Sequence, residues 1–191
     1  MHSNQESFDQ KESLAVISGM IKQTQGLMQE SAFYFILWGS VIALANLAHY
    51  CLLVYSSYSH PYMVWLITIP AWLASMLYGR KQSREALVTT HLDKIITVVW
   101  LSFGISIFLL IILGQVINTH FNPVIMLMAA IPTFISGFTI KEKSLTFGAV
   151  LFWLAGSIAF FTDTTVHYLI AAVATIGGFL IPGIILAKKR K

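Results

Sequence analysis

Acidic side chains are scarce in this chain. Its 191 residues include only eight Asp or Glu, against twelve Lys or Arg. No charged residue at all occurs between Glu30 and Arg80 or between Lys94 and Lys141, and only Asp163 interrupts the stretch from Lys143 to Lys188. Pumps driven by protons or sodium place an acidic residue inside the membrane, so active secondary transport is not expected. The single Cys51 excludes an internal disulfide. Paired carboxylates, His-Glu-x-x-His, Gly-x-Ser-x-Gly and a phosphate-binding glycine loop are all missing. With short connections that leave no room for a soluble catalytic domain, neither an enzyme nor a bound cofactor is expected. A basic start followed by a short apolar run is missing too, so no cleavable signal peptide is read, and the first span is expected to act as an uncleaved anchor.

What the chain has in abundance is apolar side chain. It is 57% hydrophobic and 10% charged, where soluble domains carry about 25% charged residues. A water-soluble fold could not bury so much, so the bilayer must be the solvent for most of it. Six runs are long enough to cross a membrane, at 32–55, 61–78, 95–117, 123–140, 145–162 and 166–187. Backbone groups in lipid must pair within their own segment, so all six are predicted to be helices. The expected fold is all-α: a polytopic bundle of six transmembrane helices in a domain over 32–187, between a cytoplasmic segment at 1–31 and a basic tail at 188–191. Pro61 and Pro123 suit first helical turns, Thr90 to Asp93 reads as a capping box, and Ser144 is placed to cap the fifth helix. In the N-terminal segment Leu14, Ile17, Ile21 and Met28 share one helical face, which predicts an amphipathic helix on the inner leaflet or against the bundle.

Charge sets the orientation. Lys11, Lys22, Arg80, Lys81, Arg84, Lys94, Lys141, Lys143 and the tail Lys188 to Lys191 account for every basic residue, and all fall on one side of a six-span chain. The connections near 56–60, 118–122 and 163–165 hold none. Positive residues stay cytoplasmic, so both termini are expected inside a bacterial inner (plasma) membrane. That placement also explains the net charge of +4 without nucleic acid as a partner.

An internal pattern recurs. Trp38, Trp100 and Trp153 open the outgoing helices, each followed by glycine or serine (Gly39, Gly104, Gly156), and Pro70, Pro132 and Pro182 lie on the returning ones. The tryptophan-to-proline separations are 32, 32 and 29 residues. This predicts three parallel two-helix hairpin repeats related by an axis along the membrane normal. The six Trp and Gly positions are expected to pack helix on helix, and the three prolines to kink their helices. The faces bearing Asn46, His49 and Tyr50, then Ile111 and Gln115, then Ser157, Phe160 and Thr164 are expected to turn into the bundle.

Trp38-Gly39, Thr90 leading to Trp100, Ile135-Ser136-Gly137, Phe147-Gly148 and Pro182-Gly183 resemble a group of small six-helix bacterial inner-membrane proteins of unassigned function. In size and three-hairpin plan the chain is also similar to the HdeD acid-resistance membrane family. Neither resemblance implies an activity.

Two polar features stand out. Asn46 and His49 lie one turn apart in the first span, where an unpaired polar group costs on the order of a few kcal/mol. They are expected to form an interior lock with Gln115, Thr68, Thr164 or a proline-freed carbonyl. His60, His120 and His167, with Asp163, cluster at the outer connections and are the candidate ligands for a metal or the elements of a pH sensor. The functional expectation is a non-enzymatic membrane protein that works through helix–helix or protein–protein contact. Its partners are the lipid bilayer and a second copy or another membrane protein. The alternative is a channel or passive exporter for a small solute or metal ion.

Overall fold

The structure is a computed structural model that describes residues 31–85, 91–113 and 121–189. The amphipathic segment, Thr90, Gln115, His120 and the last two basic residues lie outside that description. The described residues are helical and contain no strand. In chain order they form α1 (Ser31–Tyr55), a 3₁₀ stretch (Pro61–Ile67) leading into α2 (Thr68–Glu85), α3 (His91–Ile112), α4 (Phe121–Ile140), α5 (Lys143–Ala159) and α6. The last, Thr164–Lys188, is interrupted by a π segment at Ile176–Leu180.

Five of these helices are long and apolar enough to cross a membrane, consistent with a multi-pass membrane protein. The expected fifth span is shorter than anticipated, because α5 has 17 residues and ends at Ala159. At 1.5 Å per residue it reaches about 25 Å, less than a hydrocarbon core of about 30 Å. The exposed Phe160 and Phe161 extend its apolar surface into the turn that follows.

Two prolines reshape their helices in ways the spacing did not specify. Pro70 sits at the third residue of α2, inside the apolar span Pro61–Arg84, and is exposed; the change from 3₁₀ to α form falls just before it. Lacking an N–H for the Leu66 carbonyl, it cannot extend α-helical bonding backwards, and the seven residues before Thr68 tighten into 3₁₀ form. Pro182 has no N–H for the Gly178 carbonyl. The turn ahead of it widens instead, and Ile181 donates to Ile176, five residues back. Pro132 lies buried within one continuous helix.

The core lies among α4, α5, α6 and the N-terminal half of α1. Alanines dominate it (Ala130, Ala155, Ala159, Ala171, Ala174), with Phe35, Leu145, Phe152 and Phe179 filling between them. Successive helices meet as antiparallel neighbours: Trp38 meets Ser75, Trp100 meets Ser136, Gly137 meets Thr146, and Gly148 meets Gly178. α1 is held against α6 the same way, with Gly39 opposite Leu180 and Gly183 opposite Ile36. α2 and α3 lie outside this group and bury little of themselves.

The inward face of α5 differs from the expected one. Leu145, Gly148, Ala149, Phe152, Ala155, Gly156 and Ala159 are buried, while Trp153, Ser157, Phe160 and Thr164 are exposed. The reason is steric. A Cβ on Gly148 would stand 2.6 Å from the carbonyl oxygen and 2.8 Å from the Cα of Gly178, and a tryptophan at such a crossing would force the helices apart. Trp153 leans instead on Phe134, ring centres 5.5 Å apart. Gly156 meets Leu127 and the Pro123 carbonyl. Gly104 does not pack as expected: a Cβ there would meet nothing within 4 Å among the described residues. Ile111 on the same helix is likewise exposed. α3 is an outer helix, applied to the bundle only along its Trp100 and Phe103 side.

These two glycines make opposite predictions. Gly148→Ala should cost about 1–3 kcal/mol by overpacking a backbone contact. Gly104→Ala should be neutral or stabilising by up to about 1 kcal/mol, since it only removes glycine's entropy from a helix. Equilibrium unfolding of both variants in detergent checks the contrast, and equal effects would mean that the close approach at Gly148 is not what holds α5 to α6.

Candidate functional site

Polar side chains converge at three places. The first lies towards the end of α1 that carries no basic residue. His49 is buried. Its Nδ1 accepts a hydrogen bond from the Trp65 indole N–H at 3.0 Å, so a neutral ring carries its proton on Nε2. The ring stacks on Tyr168 of α6, centres 4.0 Å apart and 12° from parallel. One imidazole thus ties α1 to the 3₁₀ segment and to α6. Neither Thr68 nor Thr164 supplies the partner expected of them: Thr68 bonds back to the Trp65 carbonyl at 2.7 Å. Asn46 is buried but does not bridge helices. Its amide N–H₂ returns to the Ile42 carbonyl at 2.9 Å, and its Oδ1 has no hydrogen-bond partner among the described residues.

The second place is a pair of matching indole bonds. Trp38 donates to the Ser75 hydroxyl and Trp100 to the Ser136 hydroxyl, both at 3.0 Å. Each joins an outgoing helix to the next returning one. The tryptophans were legible as helix-packing residues, but the serines were overlooked. Their signal was a serine 37 and 36 residues downstream of the respective tryptophan.

The third place, at the basic end, was missed altogether. α4 stops in a Schellman motif: Glu142 N–H bonds the Gly137 carbonyl at 2.8 Å, and Lys141 N–H bonds Phe138 at 3.3 Å. Lys141 takes the left-handed conformation, φ 59°. Glu142, not Ser144, is the N-cap of α5. Its buried carboxylate accepts from the Ser144 hydroxyl at 2.9 Å and from the ammonium of Lys189, 47 residues on, at 2.6 Å. Burial is the largest single influence and would raise this carboxyl. The hydrogen bonds from Lys189 and Ser144, with the charge of Lys189, together hold it below the ordinary carboxylate range.

The outer histidines have separate surroundings. His60 is exposed, with Nδ1 3.0 Å from the Tyr62 hydroxyl. His167 is buried, its Nε2 3.0 Å from the Thr162 carbonyl, and its Nδ1 has no partner among the described residues. Asp163 precedes α6 as its N-cap residue. His120 falls outside the described residues. Among those described, no three His, Cys, Asp or Glu side chains are grouped to hold a metal ion. Comparison of the chain with family models, curated proteins and solved structures finds no match.

Two measurements test these contacts. His49→Leu and Trp65→Phe should each destabilise the chain. Their double-mutant cycle should show a coupling of roughly 0.6 kcal/mol, at most about 1.7; strictly additive losses would remove the lock. The Glu142 carboxyl is more acidic folded than unfolded, so its contribution is complete above the unfolded pKa and is lost as pH falls through the folded one. Glu142→Gln should lower stability at pH 7 by about 1 kcal/mol and flatten the acid limb of the unfolding profile. An unaltered acid limb would assign the acid sensitivity to other groups.

Proposed function

We propose that this chain is a non-enzymatic, six-span protein of a bacterial inner membrane, with both termini in the cytoplasm, that acts through helix–helix or protein–protein contact in the bilayer. Its partner is a second copy or another membrane protein. The observation that carries this reading is the backbone contact of Gly148 with Gly178. At Gly148, the sixth of the 17 residues of α5, the interior is filled by one helix pressed on another, and a channel or passive exporter would need a wetted path at that depth. A second support is the exposure of α2 and α3, whose apolar windows are 6% and 0% buried. Most of the surface of two helices is thereby left to meet lipid or a partner.

The topology has its own support. Lys189 touches Glu142, so the α4–α5 turn and the end of α6 share one end of the bundle, together with Lys141, Lys143 and Lys188. Lysine concentrated at one end is the cytoplasmic signature. The three-hairpin repeat draws support from the Trp38–Ser75 and Trp100–Ser136 bonds. In the third hairpin the residue 36 beyond Trp153 is Lys189, which binds Glu142 instead. The likeness to small six-helix bacterial membrane proteins accords with this plan.

Three readouts on one preparation test the reading. Reporter fusions after residues near 85, 142 and 191 should report cytoplasm, and those near 58, 120 and 164 the opposite side. Photoreactive residues replacing the exposed Leu73 and Phe108 should capture a discrete protein adduct in membranes. Vesicles holding the purified chain should keep potassium and zinc gradients as well as empty ones do. Leak above the empty control, without a protein adduct, would transfer the function to the channel reading.

A further inference from the structure

The α4–α5 turn places two lysines where local physics disfavours them. Lys141 occupies a left-handed position, φ 59°, that costs an L-residue roughly 1–2 kcal/mol and is ordinarily glycine. Lys143 is the first residue of α5, where the helix dipole repels a cation. Both are exposed. The carboxylate between them does not neutralise them, because Glu142 is turned inward and paired with Lys189. The outer side of the turn therefore presents two positive charges and no negative one.

Beside them stand the two most exposed phenylalanines of α4 and α5. Phe138 and Phe147 are both 77% exposed. They point the same way. Gly137 faces Thr146 across the hairpin, and each phenylalanine is the next residue, rotated by about 100°. Because the two helices run in opposite directions, those rotations carry both rings to the same side. Two aromatic rings a turn below two ammonium groups that have no carboxylate partner among the described residues match one occupant, an amphiphile with an anionic head and apolar chains.

We propose that the α4–α5 turn is a docking site for an anionic phospholipid, with its headgroup phosphate between Lys141 and Lys143 and its acyl chains along Phe138 and Phe147. The site rests on the chain lying in a bilayer but on no choice between partner protein and channel. Lys189 is a positioning residue here, since it holds Glu142 away from the phosphate.

The test uses the full chain in neutral detergent, titrated by native mass spectrometry with phosphatidylglycerol and with phosphatidylcholine of the same acyl chains. Phosphatidylglycerol should be retained more tightly. Lys141→Gln with Lys143→Gln should weaken it by about tenfold or more, since each basic residue near such a headgroup contributes about fivefold, and should leave phosphatidylcholine unchanged. Arg84→Gln with Lys94→Gln removes the same charge from the other described basic connection and should leave phosphatidylglycerol binding intact. Lys141→Arg with Lys143→Arg should preserve it. Phe138→Ala with Phe147→Ala should weaken both lipids while keeping the preference for phosphatidylglycerol, which keeps the proposal testable if the glutamine pair misfolds. An equal loss in the Arg84/Lys94 control, no headgroup preference, or displacement of the lipid by inorganic phosphate alone would each overturn the site.

Discussion

Everything else in this bundle depends on how closely α6 is approached by its neighbours. In lipid no hydrophobic drive pushes two helices together, because the acyl chains are as apolar as the side chains they replace. Contact energy must come from atoms brought within van der Waals reach, and backbone can reach backbone only where side chains are nearly absent. α6 meets that condition on two sides, at Gly178 against Gly148 and at Leu180 against Gly39. Both contacts fall on the π segment. A widened turn adds a residue to the helix circumference, and at this place it offers backbone to α1 and α5 together. Pro182, which has no N–H for the Gly178 carbonyl, follows this widened turn directly.

That constraint explains which parts of the fold could be read from residues alone. Run length located the apolar helices, five of them long enough to cross a membrane, because bilayer thickness and backbone pairing act on any sequence in the same way. Trp38 and Gly39 were legible as packing positions of α1 because small and aromatic residues share its buried side. The same reasoning misplaced α5. There the periodicity of Trp153, Ser157 and Phe160 competes with that of Gly148, Phe152 and Ala159, and only knowing that Gly178 lies opposite decides between them. Gly104 failed for the same reason. A glycine announces that a close approach is sterically permitted, and α3 has no helix there to make one among the described residues.

The polar residues show a related limit. That Asn46 and His49 are buried followed from the cost of facing lipid. Their partners did not follow, since Trp65 and Tyr168 look in sequence like ordinary interfacial aromatics. Each has a polar tip and an apolar body, and in this chain His49 takes one by its indole N–H and the other by its ring face. Asn46 donates its amide N–H₂ within its own helix, and its Oδ1 has no partner among the described residues. Of the pair, the imidazole therefore carries the contact between helices, through one indole N–H and one phenol ring.

The basic end makes the sharpest case for reading charge by geometry and not by count. A census assigns Lys141, Lys143, Lys188 and Lys189 the same topological duty. The structure divides them: Lys189 satisfies a buried carboxylate, while Lys141 and Lys143 stay exposed at the turn. Glu142 contributes through its burial. A glutamate on the outer side of the turn would cancel its lysine neighbours at the distances of an exposed pair, and the turn would lose its attraction for an anionic headgroup. Turned inward, it caps α5 and anchors the last residues of α6, and its charge is answered within the fold. The short Lys-Glu-Lys sequence thus separates into an internal ion pair and an external positive surface. That separation follows from the Schellman ending of α4, which commits the Glu142 backbone to Gly137 and so sets Glu142 in place as the N-cap of α5.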